Sequence, residues 1–198
     1  WSSDVCSSDL NNEEALSAAL IGKYFSVNAV NKLYKRELFS QIKFPVGKLS
    51  EDAYTIPKIL AKAQKTVATT EPMYYYQHRV GTITTSEFKI NDFNVVEAYS
   101  QNLEFINENF PKLKKQAKFR YIWSYMYVLD KMLLSKDFKD INKFKEVSNF
   151  LRKNTLKILF NPYFSRKRKI ITVIFLLNQK IYDKILKYNK KRTAELFE

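Results

Sequence analysis

Residues 44–60 read FPVGKLSEDAYTIPKIL, and this stretch decides how the first half of the chain is organised. Its first four residues are typical of a turn, and Ser50 is a good N-cap for a following helix. Glu51 and Asp52 would lie in the first turn of that helix, where acidic side chains are favoured. Pro57 comes late for a first-turn proline, so the pattern predicts a kink or an irregular start.

The segments on either side of this stretch are short. Apolar residues at helical spacing predict helices over residues 13–24 and 33–39. After the central helix, β-branched and aromatic runs predict strands over residues 66–69 and 73–76. The first 90 residues therefore predict a mixed α/β arrangement.

After residue 90 the pattern is almost entirely helical. We predict helices over residues 91–109, 114–135 and 141–154, and a last helix from about residue 166 to residue 191. Apolar residues that recur at steps of three and four predict one face of this last helix: Ile170, Ile174, Leu177, Ile181 and Ile185. The chain as a whole is expected to be α-rich.

Composition excludes several classes of protein. The chain has 198 residues, of which 45% are hydrophobic and 15% aromatic, too much apolar surface for an intrinsically disordered protein. Three glycines and one cysteine exclude collagen-like and disulfide-framework proteins, and the absence of a long apolar run excludes a polytopic membrane protein. Three glycines are also too few for a complete doubly wound nucleotide-binding domain.

Residues 1–10, WSSDVCSSDL, differ from the rest of the chain in composition. They are polar, contain no lysine, and resemble one reading frame of a common sequencing adapter. We therefore expect a non-native decapeptide and a truncated chain, and the alternative is a genuine serine-rich tail. If the decapeptide is non-native, so is Cys6, and the remaining residues offer no thiol for a disulfide, a metal or a nucleophile.

Three segments of the first half occur together and in order. Residues 31–39 read NKLYKRELF, residues 44–52 read FPVGKLSED, and residues 74–83 read YYYQHRVGTI. Their joint occurrence and spacing resemble the C-terminal half of the catalytic domain in family 2 glycosyltransferases. The nearest group is the bacterial one that builds capsular polysaccharide, exopolysaccharide and wall-linked glycans.

The resemblance implies an α/β fold of the GT-A type. Residues 11–90 would be the C-terminal half of the GT-A catalytic domain, and residues 91–198 would be an accessory helical bundle. The reaction implied is transfer of a sugar from a nucleotide-sugar to a glycan or lipid-linked acceptor, with inversion, in surface polysaccharide biosynthesis. The alternative is a non-catalytic basic helical module that binds a membrane surface or an anionic partner.

The family's general base is the second acid of the Glu-Asp pair, which corresponds to Asp52. A base must lie within hydrogen-bond reach of the acceptor hydroxyl whose proton it removes. By the same resemblance, Glu51 would orient Asp52 or hold the acceptor. Taken without the flanking segments, the two acids are better explained by the preference of carboxylates for a helix N-terminus.

Four more residues match family segments near the substrates. Arg79 and Thr82 match an Arg-x-x-Ser motif over the donor diphosphate, with Thr in place of the usual Ser, and a guanidinium suits phosphate oxygens. Asn31 and Lys32 match a segment near the acceptor cleft. The alternatives are a surface arginine at a strand end for Arg79, and helix capping and solvation for Asn31 and Lys32.

The chain lacks the family's Asp-x-Asp metal motif and its N-terminal donor-binding half. A diphosphate leaving group needs a divalent cation or an equivalent charge. We therefore expect Mg²⁺ or Mn²⁺ in the full-length enzyme, held by ligands absent from this chain, and we expect this chain to be inactive alone. For His78, metal ligation and a structural role are both open, and no metal site is assigned.

The C-terminal half is strongly basic. Residues 91–198 hold 23 basic and 11 acidic residues, against 11 and 9 in residues 1–90. A basic helix with an apolar stripe suits an anionic membrane surface, so we expect a cytoplasmic protein that is peripheral at the inner face of the plasma membrane. A core-packed helix with a solvated basic edge is the alternative. Nucleic acid is not expected as a partner because no nucleic-acid-binding motif is recognisable.

Overall fold

The computed structural model describes residues 7–75, 77, 86–136 and 138–195. Within these ranges the chain is helix-rich, with eight α-helices and one two-stranded sheet. It divides into two compact units, residues 1–80 with 93–121 and residues 81–92 with 122–198. The helix-rich architecture is compatible with the α-rich fragment expected from the sequence, and the GT-A assignment stays a prediction.

The first unit is built from helices and the small sheet. Its elements are β1 (Ser7–Leu10), α1 (Asn12–Ile21), α2 (Glu51–Lys62), β2 (Thr66–Thr69), α3 (Asn94–Asn109) and the first part of α4 (Lys114–Leu134). The strands pair antiparallel, with Ser7 opposite Thr69 and Leu10 opposite Thr66. Because α2 packs against both α1 and α3, it is the central helix of this unit.

Strand β1 lies in the segment predicted to be non-native. Its pairing with β2 does not test the origin of residues 1–10, so the adapter interpretation stays a prediction. The domain boundary predicted after residue 90 stays a prediction as well. The core of this unit contains a buried cluster of residues from α1, α3, the turn after it and the start of α4: Leu16, Leu20, Ile106, Leu113 and Ala117.

Capping residues mark both ends of α1. The Asn11 side chain accepts a hydrogen bond from the Glu14 N–H, and the Glu14 carboxylate accepts one from the Asn11 N–H. Gly22 ends the helix in the left-handed conformation, with φ at 71°. The helix predicted over residues 13–24 is therefore confirmed, but it ends three residues earlier.

Helix α2 continues through Pro57 with help from α3. Proline has no N–H, so the Ala53 carbonyl one turn earlier loses its helical donor. The Asn102 side chain supplies a replacement, because its Nδ2 donates to the Ala53 oxygen at 2.8 Å. Asn102 is 1% exposed, so this hydrogen bond is made away from solvent. The helix is unbroken from Glu51 to Lys62.

Three local predictions in the first unit are wrong. Residues 33–39 form only a 3-10 turn, Arg36–Phe39, because Leu33 is fully exposed and gives the segment no apolar face to bury. Ser50 precedes α2 without capping it, since its backbone is left-handed (φ 57°) and its side chain makes no capping hydrogen bond. Residues 73–75 are not a strand, and β2 pairs with β1 instead.

The second unit is helical within the part of the chain that the structure describes. Its elements are the rest of α4, α5 (Ile141–Lys153), α6 (Thr155–Phe160), α7 (Arg166–Leu177) and α8 (Gln179–Glu195). Aromatic contacts join them: Tyr125 of α4 stacks on Phe150 of α5 with ring centroids 3.6 Å apart, and Phe175 meets Tyr182 edge-on at 5.2 Å. None of the helices described in the chain has both the length and the hydropathy of a membrane span.

Two carboxylates of the second unit, the buried Asp92 and the half-buried Asp130, are paired with cations. Asp92 accepts a hydrogen bond from Lys131 Nζ at 2.6 Å, and the two side chains are 4% and 9% exposed. Asp130 accepts from Arg168 Nη1 at 2.9 Å and from the Tyr182 hydroxyl. Burial raises the pKa of Asp130, and the Arg168 charge opposes that shift. The Asp130 contacts fix the first turns of α7 and α8 to α4.

The last helix predicted over residues 166–191 is in fact two helices. Asn178 has an extended backbone and separates α7 from α8. Its side chain accepts hydrogen bonds from the N–H groups of Lys180 and Ile181 at 3.0 and 3.2 Å, so it caps the start of α8.

The apolar face predicted for this region is also wrong. Among the described residues of this region, Thr172, Phe175 and Tyr182 are the buried side chains, whereas Ile170, Leu177 and Ile181 are 61%, 81% and 48% exposed. Residues 170–177 are apolar at every position except Thr172, so their periodicity does not select a face.

Candidate functional site

Asp52 is the second residue of α2 and is half-buried. Its Oδ1 accepts a hydrogen bond from the Ala53 N–H at 2.7 Å. Burial is the largest influence on its pKa and raises it, because the charged form loses hydration. Backbone hydrogen bonds and the Lys32 ammonium act in the opposite direction. The result is a carboxylate that binds a proton more readily than an ordinary aspartate.

The loop of residues 28–34 brings Lys32 close enough to interact electrostatically with Asp52. Lys32 Nζ donates to the Asn28 carbonyl oxygen at 2.6 Å, and the same ammonium lies 5.7 Å from the centroid of the Phe25 ring. Burial lowers the pKa of Lys32, and the negative charge of Asp52 opposes that shift. The loop therefore fixes the Lys32 ammonium within electrostatic range of the Asp52 carboxylate.

Tyr34 lies on the same loop and was not singled out by the sequence. Its hydroxyl donates to the Ala29 carbonyl oxygen at 3.2 Å. Burial raises the pKa of Tyr34 to about 12, and the charge of Asp52 adds to the effect. Tyr34 could have been found from the sequence, because it belongs to residues 31–39, one of the three segments that carry the family resemblance.

Tyr99 of α3 also interacts electrostatically with Asp52. It is buried, and this burial raises its pKa to about 12, with Arg120 opposing and Asp52 adding to the shift. The Arg120 guanidinium lies 6.0 Å from the centroid of the Tyr99 ring. Sequence reasoning missed Tyr99, because only the packing of α3 on α2 brings it near Asp52.

The turn before α2 is anchored to α3 by two contacts. Leu49 N–H donates to Asn94 Oδ1 at 3.0 Å, and Lys48 Nζ lies 2.7 Å from Glu97 Oε2. The hydrogen bond from Lys48 lowers the pKa of Glu97. Gly47 and Ser50 both have left-handed backbones here, with φ at 74° and 57°. These two contacts fix the position of the first turn of α2 and therefore of Asp52.

Of the other predicted site residues, the structure describes Glu51 and Asn31 but not Arg79 and Thr82. Glu51 is exposed and acts on Asp52 through its charge, which raises the pKa of that carboxyl. Asn31 has a left-handed backbone (φ 58°), a conformation that asparagine tolerates, and it directly precedes Lys32. Arg79 and Thr82 lie outside the described residues, as does His78. The functional roles of all these residues stay predictions.

The described residues do not supply a metal centre. In the ranges that the structure describes, no group of three or more His, Cys, Asp or Glu side chains is placed to hold a metal ion. The expected Mg²⁺ or Mn²⁺ has no ligand set among them, so we derive no chemical step through a metal. What the site can do is accept a proton: no ion pair among the described residues includes Asp52, and its carboxylate is partly open to solvent.

Part of the chain is similar to two curated proteins of Streptococcus pneumoniae serotype 4. It is 30% identical over 95 residues to Glycosyltransferase GlyA, covering 48% of this chain and 14% of that relative. It is 32% identical over 73 residues to Glycosyltransferase GlyG, covering 36% of this chain and 24% of that relative. No family model matches the chain, and no solved structure matches it significantly. The partial similarity supports a glycosyltransferase relationship for this chain.

Proposed function

We propose that the protein containing this chain is an inverting family 2 glycosyltransferase of the GT-A type. It transfers a sugar from a nucleotide-sugar to a glycan or lipid-linked acceptor in bacterial surface polysaccharide biosynthesis, of the capsular or exopolysaccharide kind. The observation that carries the proposal is the half-buried Asp52 carboxylate with its raised pKa. The partial similarity to two proteins named glycosyltransferase supports the class of enzyme.

In the proposed reaction Asp52 is the general base. Its carboxylate takes the proton of an acceptor hydroxyl as the oxygen of that hydroxyl attacks the anomeric carbon of the donor sugar. The bond between the anomeric carbon and the diphosphate oxygen breaks, and the nucleoside diphosphate leaves with the electron pair. Attack from the side opposite the leaving group inverts the anomeric carbon.

The neighbours of Asp52 have separate roles in this proposal. The raised pKa makes the carboxylate a stronger base, while the Lys32 ammonium opposes the shift and keeps Asp52 ionised before the acceptor binds. In this proposal Asn31 and Lys32 contact the acceptor, and Glu51 orients Asp52 or holds the acceptor. Arg79 and Thr82 hold the donor diphosphate.

A second candidate function is a non-catalytic basic helical module that binds a membrane surface or an anionic partner. The observation that favours it is the charge of residues 91–198, which hold 23 basic and 11 acidic residues. The two candidates differ in whether Asp52 matters, because a binding module of this kind has no use for a base.

For the enzyme we propose a cytoplasmic location, peripheral at the inner face of the plasma membrane. A lipid-linked acceptor presents its hydroxyl at that surface, and the basic residues of the second half suit anionic lipid headgroups.

The test of the reaction replaces Asp52 in the complete reading frame that encodes this chain. We expect Asp52→Asn to lower nucleoside diphosphate release from a panel of nucleotide-sugars, with membranes of the source as acceptor, by about 10²- to 10⁴-fold. The matched control is Glu13→Gln, because Glu13 is also the second residue of its helix and half-buried. Retained turnover in Asp52→Asn, with an unchanged circular dichroism spectrum, contradicts the base assignment.

A further inference from the structure

Three successive helices of the second unit leave large apolar side chains in solvent. Each helix has a pair of them, separated by four or seven residues and therefore on one side of the helix. The pairs are Leu156 and Phe160 in α6, Ile170 and Leu177 in α7, and Ile181 and Tyr188 in α8, which are 48–83% exposed. The buried positions of these helices are filled by other residues, Ile158, Phe175 and Tyr182.

The charged residues in this part of the chain are almost all basic. Residues 151–190 hold 11 Lys and Arg and a single acidic residue, Asp183. Asp183 itself is 2.7 Å from Lys187 Nζ in an ion pair. Besides Lys187, six basic side chains of α6–α8 are exposed: Lys157, Arg166, Lys167, Lys180, Lys184 and Lys190.

The backbone that carries these side chains is held in place from within the unit. Helix α7 packs against both α6 and α8. Arg168 and Tyr182 both bind the half-buried Asp130 of α4, and Phe175 contacts Tyr182. The exposed apolar pairs therefore lie on helices that are fixed by other contacts and whose core is formed by other residues.

We propose that these exposed residues of α6–α8 form a docking surface for an anionic lipid bilayer. The apolar side chains enter the boundary between headgroups and acyl chains, and the surrounding ammonium and guanidinium groups bind lipid phosphates. The proposal rests on the membrane location given above and names the surface responsible for it. A nucleic acid would use the same cations, but it gives the aliphatic side chains no apolar phase to enter.

The experiment measures vesicle binding by the 198-residue chain. Sedimentation is measured with vesicles of equal parts phosphatidylcholine and phosphatidylglycerol, and with vesicles of phosphatidylcholine alone. We expect binding to the anionic vesicles only, and loss of that binding at high salt. Equal binding to both vesicles, or binding to neither, overturns the proposal.

Two matched pairs of variants identify the surface. Leu177→Ser should weaken binding to anionic vesicles on the order of tenfold, whereas Ile141→Ser, which alters an equally apolar exposed residue of α5, should not. Lys180→Gln with Lys184→Gln should also weaken it roughly tenfold or more, whereas Lys114→Gln with Lys118→Gln, at the same helical spacing, should not.

Single-stranded DNA serves as the competing ligand. If the chain binds DNA as tightly as anionic vesicles and Leu177→Ser changes neither, the surface is an electrostatic nucleic-acid site and the proposal is wrong. No sugar transfer is measured in these experiments, so failure of the docking surface and failure of the Asp52 reaction are distinguished.

Discussion

Asp52 of the first unit differs in its partners from two aspartates of the second unit, Asp92 and Asp130. In the second unit, Asp92 and Asp130 are paired directly with Lys131 and Arg168 at 2.6 and 2.9 Å. In the first unit, Asp52 has a backbone hydrogen bond from Ala53, and the Lys32 ammonium acts on it electrostatically without an ion pair. The paired acids serve the packing of helices, whereas Asp52 keeps its capacity to take a proton.

The burial of Asp52 has a consequence for stability. Burial raises the pKa of Asp52 in the folded chain, so the folded state binds this proton more tightly than the unfolded state does. The contribution of Asp52 to stability is therefore present below its unfolded pKa and is lost as the pH rises through its folded pKa. Ionisation of Asp52 therefore weakens the fold, as ionisation of Asp130 does, because burial raises the pKa of both carboxyls.

The contrast between Asp52 and Asp92 depends on a structural role for the buried Asp92–Lys131 pair. Lys131→Met leaves Asp92 buried without its cation, so we expect the free energy of unfolding to fall by about 3–5 kcal/mol. Urea unfolding followed by circular dichroism measures this change. The control is Lys187→Met, which breaks the pair between the exposed Lys187 ammonium and the half-buried Asp183 and should cost less than about 1 kcal/mol. Equal effects of the two variants would contradict a structural role for the buried pair.

The support of the site by α3 is tested with a double-mutant cycle. Asn102→Ala removes the donor to the buried Ala53 carbonyl, so we expect a loss of about 1–3 kcal/mol in unfolding free energy. In the Pro57→Ala background residue 57 regains its N–H, which can bond Ala53, so the same substitution should cost much less.

Additive effects in this cycle would show that Asn102 does not compensate for the proline. The cycle also bears on the site itself, since Ala53 directly follows Asp52 and its N–H binds the Asp52 carboxylate.

Helix positions could largely be predicted from local signals. Pro111 and the apolar spacing before it place the end of α3, and the capping box at Asn11 and Glu14 fixes the start of α1. The break at Asn178 was missed because apolar residues at helical spacing run through it. Asparagine is a favoured N-cap, so a signal for the start of α8 was present in the sequence.

The candidate site was predictable only in part. The segments around Asp52 and Lys32 could be singled out from their residues, and the structure does bring those two charges close enough to interact. Tyr99 and the anchors Asn94 and Glu97 depend on the packing of α3 against α2, which no local pattern encodes. The left-handed backbone of Ser50 was missed because serine is ordinarily a good cap.

Asp52 is a half-buried carboxylate with a raised pKa, and no ion pair among the described residues includes it. The direct measurement is an NMR titration of the side-chain carboxyl carbons in the 198-residue chain, with Asp52→Asn used to assign the Asp52 signal. We predict a midpoint above the ordinary aspartate value, which moves higher in Lys32→Ala because a stabilising cation is lost. A midpoint at or below the ordinary value, unchanged by Lys32→Ala, would contradict the account.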